Sequence, residues 1–158
     1  MTMCQNCDYH QLLTHAGLEV TAHRLRVLEI VGGNTGPLNA QEIFATVCRA
    51  TPINRVTVYR ILDALVQHGL LERLSGGRAF YYGLAPNEHH QRHPHFFCRR
   101  CGRMDCLRPE AIALDLQPLA RVFPGHIENV AVRVDGVCKL CMDAVSKRGR
   151  AQQAHNPN

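Results

Sequence analysis

Two Cys-x-x-Cys pairs constrain what this chain can fold into more than any other feature of its sequence. The pairs are Cys98–Cys101 and Cys138–Cys141, and residues 102–137 lie between them. A Cys-x-x-Cys turn places two thiolates at two corners of a tetrahedron, and a second such turn fills the other two and completes a closed Cys4 zinc site. Because the separation is longer than in a compact zinc ribbon, the zinc is expected to hold a helix and a strand together across a small domain.

The cysteine content and the charge indicate the cellular setting. Eight cysteines, no apolar run of membrane-span length and no signal-peptide pattern predict a cytoplasmic protein whose cysteines bind metal. Two unrelated motifs or a thioredoxin-like redox pair are the alternatives, but a redox pair is expected in a βαβ unit, which the sequence lacks. The net charge of +5 suits an anionic partner without proving one.

Residues 1–83 predict a winged-helix fold. Helical patterns cover residues 8–16, 21–31, 39–49 and 54–69, and Thr21, Asn39 and Asn54 are suited to cap the last three. In the fourth helix one face is apolar, with Val58, Ile61, Leu62 and Leu65, and the opposite face carries Val56, Tyr59, Arg60, Asp63 and Gln67. Strands at 70–74 and 79–82 flank a Ser-Gly-Gly turn, which predicts a hairpin after the helices.

The second half is predicted to be a separate small domain. Residues 84–92 lack periodicity and are interpreted as a hinge, and residues 93–145 as the domain that contains the cysteine pairs. Within it we expect a cysteine-rich strand region and a helix from about Pro109 that breaks near Pro118. A further strand would carry Val130, Val132 and Val134 on one face. The polar tail, residues 146–158, is predicted to be disordered.

A histidine cluster precedes the first cysteine pair. Its members are His89, His90, His93 and His95. An extended His93-Pro94-His95 segment would place two imidazoles on one face, and Cys106 would be able to fold back beside them. Imidazoles with a thiolate favour zinc over iron(II) or manganese, so a second zinc site is predicted here. A solvated histidine-rich linker is the alternative interpretation.

The remaining cysteines are weaker signals of a metal site. The sequence also gives little support for an enzyme. Cys4 and Cys7 form a third pair close to His10, at a terminus where order is not expected without an anchor. Cys48 is expected to be a small core residue. The sequence has no His-Glu-x-x-His motif, and Phe97 precedes Cys98 where a zinc deaminase has proline. We therefore do not expect an enzyme.

Taken together, the order and spacing of five segments resemble the ferric-uptake-regulator family over roughly residues 8–142. The segments are Val-Thr-Ala-His-Arg-Leu (20–25), Thr-Val-Tyr-Arg-Ile-Leu (57–62), the hairpin, His-x-His-Phe-Phe-Cys-x-x-Cys-Gly (93–102) and Gly-Val-Cys-x-x-Cys (136–141). The resemblance implies an α+β chain with an N-terminal winged-helix DNA-binding domain and a small C-terminal α/β dimerisation domain with a Cys4 zinc. It also implies a cytoplasmic homodimer whose metal-loaded form represses metal-uptake or stress genes.

The resemblance also implies roles for individual residues. The DNA contacts would be Tyr59 and Arg60, with Arg55, Val56 and Thr57 beside them, because a ring edge can touch a thymine methyl and an arginine a phosphate or guanine. The structural zinc ligands would be Cys98, Cys101, Cys138 and Cys141. The regulatory ligands would be His93 and His95, with Cys106 where the family commonly has glutamate. The candidates for the missing ligands are His89, His90 and the N-terminal Cys4, Cys7 and His10.

Several positions depart from the family pattern, so the regulatory ligand set cannot be transferred whole. The position at the exit of the hairpin that usually supplies a glutamate or cysteine ligand is Tyr82 or Gly83 here, and a family histidine before the third helix falls near Pro37. The leading prediction is a zinc-loaded repressor of metal-uptake genes that binds operator DNA. The alternatives are an iron, nickel or peroxide sensor of the same family, or a zinc-stabilised interaction module that binds no DNA.

Overall fold

The computed structural model describes residues 7–144, so the predictions for Cys4 and for the tail after residue 145 lie outside the described part of the chain. The elements of the first half run from α1 to β3. Their bounds are α1 Tyr9–His15, α2 Ala22–Gly33, β1 Leu38–Asn39, α3 Ala40–Cys48, α4 Arg55–Gln67, β2 Leu71–Gly76 and β3 Ala79–Leu84. Helices followed by a β-hairpin give the predicted winged-helix order, and we call the β2–β3 hairpin the wing.

Side-chain caps start the helices where the sequence predicts them. The Thr21 hydroxyl accepts a hydrogen bond from the Arg24 N–H at 3.3 Å, and the Asn54 amide oxygen accepts one from the Val56 N–H at 2.8 Å. Asn39 and Glu42 form a capping box, in which each side chain accepts the other's backbone N–H. Each cap satisfies an amide that the helix itself cannot pair, so the three predicted helix starts are confirmed.

The core of the first half lies between the helices and one face of the wing. Leu28, Ile43, Leu62 and Leu65 are fully buried there, and the predicted apolar face of α4 supplies two of them. The sheet order is β1-β3-β2, all antiparallel, with Leu38 opposite Tyr82. Strand β1 was not predicted, because two residues are too few to show a period of two.

The second half is built on another three-stranded sheet. Its elements are β4 His95–Cys98, β5 Met104–Cys106, a 3-10 turn Pro109–Ala111, α5 Gln117–Val122 and β6 Arg133–Gly136, and residues 139–144 are helical. The order is β5-β4-β6, where β4 pairs antiparallel with β5 and parallel with β6. Leu84, predicted as the first hinge residue, is instead the buried last residue of β3.

Two predictions for the second half are wrong in detail. The helix from about Pro109 is only a 3-10 turn, and Pro118 lies in the first turn of α5 instead of breaking a longer helix. Proline lacks a backbone N–H, so it is tolerated where the first turn leaves that donor unpaired. Strand β6 begins at Arg133, after Val130 and Val132, because pairing with β4 extends only from His95 to Cys98. Within residues 7–144 no helix is long and apolar enough to cross a membrane.

Candidate metal centres and nucleic-acid interface

The four predicted zinc ligands of the second half meet at one point. The thiols of Cys98, Cys101, Cys138 and Cys141 all lie within 4.8 Å of one another. Strand β4 ends in Cys98, and the turn after it contains Cys101. Strand β6 leads into Cys138, which immediately precedes the helical residues 139–144 that include Cys141. The parallel pairing of β4 with β6 brings the two Cys-x-x-Cys segments side by side, as predicted from the spacing of the four cysteines.

The chemistry of this cluster fits a zinc ion. The sulfur atoms of Cys101 and Cys138 are 3.8 Å apart, and two sulfurs bound at about 2.3 Å to a tetrahedral zinc are separated by about that distance. Backbone N–H groups of Cys101 and Cys138 lower the pKa of Cys98 to about 6, which favours its thiolate at neutral pH. Burial and the neighbouring thiols raise the pKa of Cys141, so the cluster needs a cation to ionise completely.

A second cluster forms where the two halves meet. Ligand atoms of His93, His95 and Cys106 lie within 4.8 Å of one another. His95 and Cys106 are directly opposite on the antiparallel pair β4–β5, so the sheet register produces the fold-back that the sequence suggested. His95 is buried, and its burial, together with His93 and His90, lowers its pKa to about 4. Its imidazole is therefore neutral and able to bind a metal.

His93 presents an unsatisfied ligand atom to this cluster. Its Nδ1 lies 2.9 Å from the Gln91 carbonyl oxygen, which fixes Nδ1 as the donor and leaves Nε2 with its lone pair. That Nε2 is buried and has no hydrogen-bond partner among the described residues. A buried acceptor without a donor is costly, and a metal ion would satisfy it. The cluster therefore fits a borderline-soft divalent cation.

Glu72 on β2 joins the cluster from the other half of the chain, and the sequence analysis missed it. Its Oε1 is 4.0 Å from His95 Nε2, and burial raises its pKa, opposed by His93 and Arg92. The position at the wing exit where the family usually has a glutamate or cysteine ligand is Tyr82 or Gly83 here, and Gly83 pairs with Glu72 across the hairpin. A Cβ at Gly83 would lie 3.9 Å from the Glu72 carboxylate, so the neighbouring strand supplies the carboxylate. The register between β2 and β3 would have identified Glu72, but the sequence gives that register only when the position of the hairpin turn is known.

The other two histidines of the cluster have different positions. His90 is buried, and its ring stands edge-on to His93 with the ring centroids 4.9 Å apart, but it is not among the three residues whose ligand atoms converge. His89 is exposed, and its backbone N–H donates to the Asn87 side chain at 2.8 Å. The structure therefore brings His90 beside the predicted regulatory cluster and leaves His89 on the surface.

The predicted DNA-contacting residues share the exposed face at the start of α4. Arg55, Val56, Thr57, Tyr59 and Arg60 are all exposed, whereas the opposite face of the helix is buried. The helix dipole at this end attracts phosphate oxygens. Phe80 of the wing lines one groove with Tyr59, and the Arg73 guanidinium lies 4.6 Å from the centre of its ring. Phe80 and Arg73 were not among the residues predicted from the sequence, and they lie beside the predicted interface.

Comparison with known protein families identifies the class of protein that contains these metal clusters. A family model described as the ferric uptake regulator family matches residues 15–130. The chain belongs to the ferric uptake regulator family. The ferric uptake regulation protein of Legionella pneumophila is 28% identical over 135 residues, which is 83% of this chain and 96% of that protein.

Solved structures of family members agree with the fold described above. The ferric uptake regulator of Vibrio cholerae has a TM-score of 0.69 and 25% identity, over 83% of this chain and all of that one. A zinc uptake regulator complexed with zinc and DNA has a TM-score of 0.60 and 22% identity, over 89% and 99%. Ferric uptake regulator family members are transcription regulators, so this chain is a metal-responsive regulator and not an enzyme.

Proposed function

We propose that this ferric uptake regulator family member is a zinc-responsive repressor, which binds operator DNA as a homodimer when its second cluster holds zinc and so controls metal-uptake genes in the cytoplasm. The single observation that carries the proposal is the cluster of His93, His95 and Cys106 with Glu72 beside it. Three of these side chains come from the second half of the chain and one from the wing. A cation held by all four would link the DNA-reading half to the other half.

The choice of zinc follows from the ligand types. Two imidazoles and a carboxylate suit iron(II) as well as zinc, which makes an iron sensor the second candidate. The Cys106 thiol shifts the preference, because thiolates select soft or borderline cations over hard ones. The Cys4 cluster is proposed to be the permanent zinc site, since all four of its ligands come from the second half and leave no open position.

The response to metal would be a shift between two arrangements of the halves. His93, His95, Cys106 and Glu72 bind a cation together only when the wing lies against β4 and β5. The metal therefore favours that arrangement by the difference between its affinities for the two arrangements. In a homodimer the same arrangement would space two α4 helices for successive major grooves.

Homodimerisation is proposed for residues 93–145, with residues 1–83 as the DNA-binding domain and 84–92 as the hinge. Most of the large apolar side chains that are exposed in the described chain lie between residues 114 and 142. They are Leu114, Leu116, Leu119, Val122, Phe123, Val134, Val137, Leu140 and Met142. A concentration of exposed apolar side chains of this kind marks a contact surface, and symmetric dimers are the commonest soluble assemblies.

The test measures DNA binding at controlled metal concentrations. Fluorescence anisotropy of the full chain with operator-containing DNA should show high affinity at micromolar free zinc and weak affinity when a chelator removes the second ion. His93→Ala should abolish the zinc response, and His89→Ala, a histidine on the surface of the same segment, should not. A response to iron(II) at lower free concentrations than to zinc would favour the iron sensor instead. Binding unaffected by any metal would contradict both.

A further inference from the structure

The wing is attached to the second half by a hydrogen bond in which none of the proposed metal ligands takes part. Tyr81 on β3 is buried, and its hydroxyl donates to the Gly102 carbonyl oxygen at 2.5 Å. Its ring meets Phe97 of β4 edge-on, with the ring centroids 5.9 Å apart. Tyr81, Phe97 and Met104 form a small buried cluster of their own, separate from the main core.

The acceptor of this bond is part of the first Cys-x-x-Cys turn, which we call the knuckle (residues 98–102). The Gly102 N–H donates to the Cys98 carbonyl at 2.8 Å, and the Cys98 N–H donates to the Arg103 carbonyl at 2.9 Å. Gly102 has a positive φ of 75°, which only glycine adopts readily. The Gly102 carbonyl is therefore in position for Tyr81 only while the knuckle is folded.

The tip of the wing makes a second contact with the same half. The Arg133 guanidinium donates to the Ser75 carbonyl oxygen, pairs with the Asp135 carboxylate at 2.8 Å and lies 5.6 Å from the centre of the Phe97 ring. A Cβ at Gly76 would lie 2.4 Å from the Tyr81 ring and 3.1 Å from the Phe97 ring. The glycine therefore leaves room first for Tyr81 within the wing, and also for the approach of Phe97 on β4.

A third contact between the halves lies at the loop before β1. Gly36, in the loop before β1, lies so close to β5 that a Cβ there would be 2.3 Å from the Met104 carbonyl oxygen. Met104 is two residues before Cys106 on the same strand. The halves thus touch at the wing and at this loop, and Gly36 lines one cavity together with Glu72, His93, His95 and Cys106.

From these contacts we infer that Tyr81 is a positioning residue, whose bond to Gly102 couples the Cys4 knuckle to the regulatory cluster. The bond holds β2 and β3 against β4, and β2 carries Glu72. Loss of the bond lowers the fraction of molecules in which Glu72 faces His93, His95 and Cys106. Apparent affinity for the regulatory metal falls in proportion to that fraction. The coupling to metal rests on the proposed function, whereas the contact between wing and knuckle does not.

The variant that tests this is Tyr81→Phe, which keeps the ring packing and removes one hydrogen bond. Tyr82→Phe is the matched control, since Tyr82 is the next residue of β3 and its side chain lies in the main core of the first half. Arg133→Gln, which removes the contact with Ser75, should act in the same direction as Tyr81→Phe. All three are made in the full chain with one zinc per chain in the Cys4 cluster.

The first measurement is independent of the regulatory metal. Amide hydrogen exchange of residues 71–84, with only the Cys4 zinc present, should be about three- to tenfold faster in Tyr81→Phe than in the wild type and unchanged in Tyr82→Phe. Zinc content and dimer mass should stay the same. Equal exchange in Tyr81→Phe and the wild type would overturn the contact and with it the inference.

The second measurement tests the coupling. The free zinc concentration that half-saturates the second site should rise about three- to tenfold in Tyr81→Phe, while DNA affinity at saturating zinc stays within about twofold. Faster exchange with an unchanged zinc midpoint would overturn the coupling. A wild-type chain that binds no second zinc would contradict the proposed function and the coupling together, and the exchange comparison would still decide the contact.

Discussion

At the scale of single residues, Cys106 distinguishes this regulatory cluster from one made of imidazoles and carboxylates. Its thiol lies opposite His95 on the β4–β5 pair, and Asp105 precedes it on the same strand. Cys106→Asp should keep a ligand at this point and exchange a soft donor for a hard one. We expect zinc affinity to fall about tenfold or more and the preference to move towards manganese and iron(II). Competition titrations with a metal-sensitive dye measure this, and Cys48→Asp on the surface of α3 is the control.

The ionisation of Cys106 predicts how zinc binding depends on pH. Burial, Glu72 and Asp105 raise the pKa of Cys106 to about 11, so the free thiol is protonated throughout the physiological range. The pKa of His95 is about 4, so its imidazole has already lost its proton above pH 5. Binding as a thiolate releases one proton, so the affinity of the second site should rise about tenfold per pH unit between about pH 6 and 8.

Cys106→Ser provides the check on this pH dependence. Titrations at three pH values should show a much flatter slope for the variant than for the wild type, because a serine ligand does not lose its proton in this range. Equal slopes for the two proteins would mean that the released proton comes from another group.

At the scale of secondary-structure elements, α4 is the element proposed to read DNA. Tyr59 is 41% exposed, and Arg60 is exposed beside it, while Val58 and Ile61 on either side of this pair are buried. Tyr59→Ala and Arg60→Ala should each weaken operator binding by about 1–3 kcal/mol. Zinc content and unfolding temperature should stay near the wild-type values, because neither side chain belongs to the core.

Gln67→Ala is the matched control for these two variants. Gln67 is exposed at the far end of the same helix, away from the amides at the N-terminus of α4. Its DNA affinity should equal that of the wild type. If Tyr59→Ala and Arg60→Ala also bind like the wild type, another element contacts the bases.

At the scale of the whole molecule, the Cys4 cluster is expected to keep the second half folded and the dimer assembled. Between residues 93 and 144 the structure has a three-stranded sheet and short helical turns, and few side chains in this range are fully buried. A closed zinc site supplies much of the folding free energy of such a small domain. Cys98→Ser should therefore lose its zinc, as measured by metal analysis, and its dimer, as measured by light scattering.

The surface cysteine of the first half offers the control for that experiment. Cys48 is exposed on α3, outside both clusters. Cys48→Ser should remain a zinc-containing dimer. A stable, zinc-free dimer of Cys98→Ser would contradict a structural role for this site.

The first half of the fold could be predicted from the sequence because its signals are local. Caps at Thr21, Asn39 and Asn54 and the apolar face of α4 lie within a few residues of the structure they specify. In the second half the sequence patterns cover only a few residues each, and the strands pair with partners that are far away in the chain. Pro118 was interpreted as a breaker when it occupies a first turn, and β6 was placed too early because its partner β4 sets its length.

In the metal clusters, too, some features follow from the sequence and others only from the tertiary structure. The sequence by itself determined the four thiols and the histidine–cysteine set, because ligand types and spacings restrict how a metal can be held. Only the tertiary structure decided that Glu72 lies beside the second cluster and that Tyr81 attaches the wing to the knuckle. Both residues act across contacts between elements that are far apart in the chain. The sequence carries no periodicity for such contacts, because the register of the hairpin and the approach at Gly36 and Gly76 are fixed by packing.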